Sequence, residues 1–281
     1  MKITPIGKLH GHQDGAIYNG YIFHFNNTGK CFVYDINNLS FDSERVCEFI
    51  LDKADLIVPH CNSVSFGNEK YCETDEFPLL YGNIYNNYAK CENKLKGVTC
   101  VYRITRNGNE FKSSLVQIIE IGFCEDELWK SENDARPYGN FVIDNENGEY
   151  IAYTMRTGDK TTRYFGFDLP KLKDGQMDVK YGVNRVLLNK EDIKYSFDAE
   201  YQNFMQGATF KNGIVYTLEG FNADYPSAPP ALRLVDVKKQ KDIAYYNFID
   251  YGLKIETELI DFVDDTCYYA DDNGNFYILT F

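Results

Sequence analysis

Long apolar runs are missing from this chain of 281 residues. Nowhere do about 18 apolar residues follow one another, so no segment can cross a bilayer as a helix. The opening MKITPIGKLHGHQDG lacks the apolar stretch of a secretory signal, and the expected location is the cytoplasm. Positive charge is scarce: 29 Lys and Arg stand against 42 Asp and Glu, a formal charge of −13 at pH 7. No basic patch offsets it. Such a surface repels phosphate backbones, so neither nucleic acid nor membrane is an expected partner. None of the eight cysteines forms a C-x-x-C pair, which argues against a structural zinc knuckle. Their irregular spacing in a long chain reads as reduced, mostly buried thiols. Tryptophan occurs once, as Trp129, in a polar linker over 123–139 that either holds a short helix or is stapled down by that ring.

What is abundant is aromatic residues, with 23 Tyr and 20 Phe. Together with Asn-, Asp- and Gly-rich punctuation they favour strands joined by tight turns, hence an all-β fold. The chain also repeats a phrase. His12–Tyr18 reads HQDGAIY and is followed by Asn19-Gly20; Phe204–Phe210 reads FMQGATF and is followed by Lys211-Asn212-Gly213. Three more segments fit the template: His60–Phe66 (HCNSVSF), Tyr138–Asp144 (YGNFVID) and Glu256–Phe262 (ETELIDF). In register, the third column is Asp14, Asn62, Asn140, Gln206 and Glu258. The fifth is Ala16, Val64, Val142, Ala208 and Ile260. The seventh is Tyr18, Phe66, Asp144, Phe210 and Phe262.

Each of the first four segments is followed by three further strand-like runs, giving four antiparallel strands per unit. In the first unit these are 21–25, 30–36 and 45–51; in the third they include 149–155, 162–169 and 184–188. The fifth unit stops one strand short, and the N-terminal MKITPIGKL has no other home. It is expected to supply the missing outer strand and remove the open edge. The pattern resembles a five-bladed β-propeller over the whole chain. Its blades would fall at 10–52, 60–122, 138–190, 204–250 and 256–281 plus 2–9. No WD dipeptide or kelch Gly-Gly pattern points to a particular family. A six-bladed ring and a pair of β-sandwiches are the competing architectures.

Residues two apart on an inner strand share a face. The third column would then ring the axis, with His12, His60, Tyr138, Phe204 and Glu256 one step along. Histidine, carboxylate, amide and tyrosine converging at a channel mouth are material for a small-ligand site, and a sugar-like compound is the expected partner of a monomer. The ligand-binding set is Asn62, Tyr138, Asn140, Gln206 and Glu256. Hydrolysis is the alternative, with Asp14, His12, His60 and Glu258 as catalytic candidates. Five-bladed glycosidases resemble this arrangement, which implies Asp14 as base and Glu258 or Glu219 as acid. Propeller lactonases and paraoxonase-like hydrolases are similar in drawing axial oxygen ligands from inner strands. That likeness implies a calcium ion on Asp14, Asn62, Asn140 and Glu258. His10, His12 and His60 offer a nitrogen-rich metal set instead. Two blander readings stand beside these: a solvated channel whose polar residues satisfy one another, and a scaffold for protein partners. The Pro-rich YPSAPPAL (225–232) reads as a rigid rim.

Overall fold

The computed structural model of the protein describes residues 1–42, 44–84, 95–132, 134 and 139–281. The chain starts with β1 (Lys2–Lys8) and builds a first blade from β2 (Gly15–Tyr18), β3 (Tyr21–Phe25), β4 (Lys30–Asp35) and β5 (Cys47–Ile50). The second blade holds β6 (Val64–Phe66), β7 (Leu80–Asn83), β8 (Val98–Asn107) and β9 (Glu110–Ile121). The third has β10 (Asn140–Asp144), β11 (Glu149–Arg156) and β12 (Thr161–Asp168). Two strands then depart from it, β13 (Gln176–Asp178) and β14 (Val183–Leu188), before β15 (Tyr195–Glu200) completes it. The fourth contains β16 (Met205–Lys211), β17 (Ile214–Glu219), β18 (Ala231–Asp236) and β19 (Lys241–Asn247). The fifth contains β20 (Thr257–Val263), β21 (Thr266–Asp271) and β22 (Asn275–Thr280). Strand β1 adds to its outer edge, pairing antiparallel from Lys2 with Thr280 to Lys8 with Asn275. The inner strands β2, β6, β10, β16 and β20 adjoin in that order and close on themselves. The fold is a five-bladed β-propeller closed by the N-terminal strand.

Five separate apolar clusters fill the wedges between successive blades. Strand β11 shows how one strand serves two of them. Tyr150 and Ala152 pack toward blade two, and Ile151 and Tyr153 toward blade four. A strand buried on both faces needs apolar residues at consecutive positions, which is why YIAYTM shows no polar alternation. The Asn19-Gly20 and Asn212-Gly213 turns have positive φ at both residues, the backbone of a two-residue hairpin. Trp129 is fully buried, stacked on Phe165 at 5.2 Å and edge-on to Phe123 at 5.9 Å. It therefore staples the linker, and residues 123–132 form turns without a helix.

One strand assignment differs from the expectation. The run at 184–188 is not the outer strand of the third blade. As β14 it pairs in parallel with β9 of the second, Asn184 to Gln117 through Leu188 to Ile121. The third blade is finished by β15, beyond residue 190. The long β8–β9 hairpin, the connections 67–79 and 84–97 and this crossover make units two and three longer than the others.

Candidate functional site

The third-column residues stand where the axis was expected, and all five are buried. They and their neighbours are engaged with one another. Asp14 Oδ2 accepts the Val64 N–H at 2.8 Å, joining blades one and two. Ser63 donates its hydroxyl to the Phe141 carbonyl, joining two and three. Asn140 Nδ2 donates to the Gln206 carbonyl at 2.7 Å, joining three and four. The Thr209 hydroxyl donates to Asp261 Oδ1 at 3.0 Å, and Ile17 N–H donates to Asp261 Oδ2 at 2.7 Å, completing the circuit. Asn62 Nδ2 reaches across to Gln206 Oε1 at 2.8 Å. Five blades make a narrow axis, and its polar side chains stitch each inner strand to another.

Glycine makes the close approach possible. A Cβ at Gly207 would lie 2.0 Å from the Glu258 carbonyl oxygen, and one at Gly15 would lie 2.3 Å from the Phe23 carbonyl oxygen. The shared Gly-Ala of the two matching phrases thus marks points where backbones meet. Strands β16 and β20 also carry register irregularities, between Met205 and Ala208 and between Thr257 and Leu259. Such bulges re-aim the side chains that follow. Beyond them Thr209 meets Asp261 of the fifth blade, and Asp261 meets Ile17 of the first.

Electrostatically, the end of the axis nearest Glu256 is crowded with acid. Burial pushes the Glu258 carboxyl well above its usual range, and Glu256, Asp272, Asp14 and Asp271 add repulsion. Asp14 is raised by burial too, partly offset by the backbone N–H groups of Gly15, Val64 and Ala208. Half-buried Glu256 is pushed up to about 7 by burial and by Asp272, against a hydrogen bond from Gln206 Nε2. An acid–base pair for hydrolysis needs one carboxyl kept ionised. Asp14 and Glu258 are both driven the same way. Glu219 is held by Arg233 in a buried ion pair at 2.8 Å.

The histidines are dispersed. His10 Nδ1 meets the Tyr34 hydroxyl at 2.6 Å, whereas exposed His12 Nδ1 meets the Asp272 carbonyl oxygen at 2.6 Å. His60 is half-buried before Asn62. Among the described residues no three His, Cys, Asp or Glu groups are placed to hold a metal. Tyr138 and Cys91 lie outside the described residues; the seven described cysteines are free thiols. For the calcium set, Asp14 Oδ1, Asn62 Oδ1 and Glu258 Oε2 are buried without a hydrogen-bond partner. Both side-chain atoms of Asn140 are taken, by Asn83 Nδ2 at 2.9 Å and the Gln206 carbonyl.

The opposite end of the axis is open. There the C-terminal ends of all five inner strands surround a cavity of about 330 Å³. Its wall includes all five seventh-column residues, Tyr18, Phe66, Asp144, Phe210 and Phe262. Ser65, Asn145, Thr209, Lys211 and Asp261 supply further polar groups. Burial pushes Asp261 up to about 6, against hydrogen bonds from Ile17, Phe262 and Thr209. These residues were legible as a column, but nothing in their spacing said that the cavity lies at this end.

No family model matches the chain, and no curated protein matches it. Solved structures do. The computationally designed Ika8 protein is 10% identical with a TM-score of 0.37, over 99% of this chain and 100% of that one. BamB from Moraxella catarrhalis is 10% identical with a TM-score of 0.35, over 95% of this chain and 71% of its own. The Dos1 propeller is 10% identical with a TM-score of 0.34, over 95% of this chain and 57% of its own. Likeness at this level bears on neither ligand nor activity. No helix among the described residues is long and apolar enough to cross a membrane.

Proposed function

We propose that the protein binds a small polar molecule, of about the size of a sugar, in the axial cavity ringed by Tyr18, Phe66, Phe210 and Phe262. The observation that carries this reading is the lining itself: every blade contributes, and aromatic faces alternate with hydrogen-bonding groups. Flat rings support the apolar face of a ligand while acceptors such as Asp261 and Asn145 orient its polar groups. Site and scaffold are separated along the axis, since the third-column residues hold the ring. The test is a melting screen of sugars and small polar metabolites on the wild type and on Ser65→Trp, which fills the cavity. A ligand that binds only the folded state raises the melting temperature. The expected result is a shift in the wild type that the variant lacks. Equal shifts in both would sink the assignment.

A second reading, an axial calcium ion, is favoured by the donor-less oxygens of Asp14, Asn62 and Glu258. Hard oxygens of this kind suit Ca²⁺, and a cation would return both carboxyls to their ionised form. Calcium would then raise the melting temperature of the wild type and EDTA would lower it, with both effects gone in Asn62→Ala. A metal-free protein indifferent to both reagents excludes this reading.

A further inference from the structure

The axial cavity is acid-rich as well as aromatic. Asp144, Glu146, Asp261 and Asp264 border it, against a single ammonium, Lys211. Lys211 is already committed: its Nζ donates to the Asp264 carbonyl, lies 3.1 Å from Asp265 Oδ1 and stands 5.3 Å from the centroid of the Phe262 ring. Asp144 accepts three neutral donors of its own turn, the Glu146 and Asn147 N–H groups at 3.0 and 3.1 Å and Asn147 Nδ2 at 2.7 Å. Asp261 also has neutral donors, but two of them reach it from other blades. Its oxygens accept Ile17 N–H, Phe262 N–H and the Thr209 hydroxyl, and all three donors are neutral. No counter-cation is paired with it among the described residues, although carboxylate oxygens hold more lone pairs than three donors fill.

Four aromatic side chains stand around the same space; Phe262 is already faced by Lys211, which leaves Tyr18, Phe66 and Phe210 for a ligand. An aromatic face carries the negative end of a quadrupole and attracts a cation, whereas a neutral hydroxyl compound gains only stacking. A cleft lined by one sign of charge also concentrates ions of the other sign. The chain as a whole is at −13. Aromatic walls, an unpaired carboxylate and an acidic rim select for the same chemistry. We infer that the ligand of the axial cavity is a small organic cation, an amine or quaternary ammonium compound, held against the aromatic rings with its charged nitrogen toward Asp261. This rests on the assignment of the cavity as the ligand site.

Titration calorimetry with glucosamine, glucose and choline tests it, because the first two differ in a single ammonium group. The expected order is glucosamine and choline at least about tenfold tighter than glucose, a difference of ~1.4 kcal/mol. Raising the salt tenfold should weaken the two cations several-fold and leave glucose unchanged. Asp261→Asn should abolish the preference for the cations. Because Asp261 also joins two blades, the double variant Glu146→Gln/Asp264→Asn gives a second reading on the exposed rim, with a loss of about two- to fivefold for the cations alone. Glucose binding as tightly as glucosamine, with no salt dependence, overturns the cationic ligand and leaves the cavity assignment standing. Failure of all three to bind the wild type removes the cationic inference, and with Ser65→Trp unaltered in the wider screen the cavity assignment falls too.

Discussion

The two ends of the propeller axis use the same five strands in opposite ways. Near Asp14, Asn62, Asn140, Gln206 and Glu258 the inner strands are stitched together by Asp14 Oδ2, Asn62 Nδ2 and Asn140 Nδ2. Near Tyr18, Phe66, Phe210 and Phe262 the strands part around a cavity. One end is built for cohesion and the other for access. A polar residue on an inner strand is therefore no sign of a ligand site until its partners are known: buried amides with backbone partners are structural, while the proposed ligand would meet the rings and carboxylate of the cavity.

The sharpest way to break this contrast is to spoil the tight end. Gly207→Ala places a methyl group against the Glu258 backbone, which cannot swing aside as a side chain could. It should cost about 3–5 kcal/mol in urea unfolding or prevent folding outright. Asn140→Ala strands the Gln206 carbonyl and an Asn83 N–H inside the protein, and should cost about 2–3 kcal/mol. An undiminished urea midpoint in Asn140→Ala would show that the stitching is incidental.

Next in size is a pH effect centred on the acid-crowded end, to which Asp261 at the open end, pushed up to about 6, adds in the same direction. Folding raises the pKa of Glu256 from the ordinary glutamate range to about 7. Its protonated form is favoured in the folded state, so its contribution is fully present below about pH 4.5 and is lost as pH rises through about 7. With its exposed part screened, the loss is on the order of 2 kcal/mol. Glu258 and Asp14 shift in the same direction and extend the decline. Melting temperature should fall from pH 5 to 8, and Glu256→Gln should flatten that slope. A wild-type melting point that climbs across the interval contradicts the assignment. Smallest of all is Phe210→Leu at the open end, expected to cost about 1 kcal/mol or less while weakening whatever ligand the screen finds. If it destabilises as much as Asn140→Ala, the two ends are not functionally distinct.

Much of the architecture was legible because it is local. Asn-Gly turns and antiparallel hairpins announce themselves within a few residues, so the blades could be read directly, and closure by β1 followed from a fifth unit one strand short. The crossover of β14 could not, because a parallel pairing between 184–188 and 117–121 leaves no turn signature. The repeat columns were legible as columns, but the cavity at the seventh-column end was not. Spacing places Asp14 and Asn62 on the axis but is silent about how narrow the axis is. It is equally silent about the bulges in β16 and β20, beyond which Thr209 meets Asp261 and Asp261 meets the first blade. Gly207 was the available clue, as a glycine in a strand marks a bulge or a close backbone approach. The scattered histidines were legible only as residue types, and their partners Tyr34 and Asp272 are far from them in sequence.

The strap formed by β14 has a consequence for the order in which the chain assembles. Blade two gains its parallel strand from a segment lying between the third and fourth strands of blade three. Blade two receives its last strand only after three strands of blade three have been made, and blade three closes only after that strand has left it. The two modules are expected to open as one cooperative unit, with amides from Gln117 to Ile121 exchanging in step with those of β12 and β15.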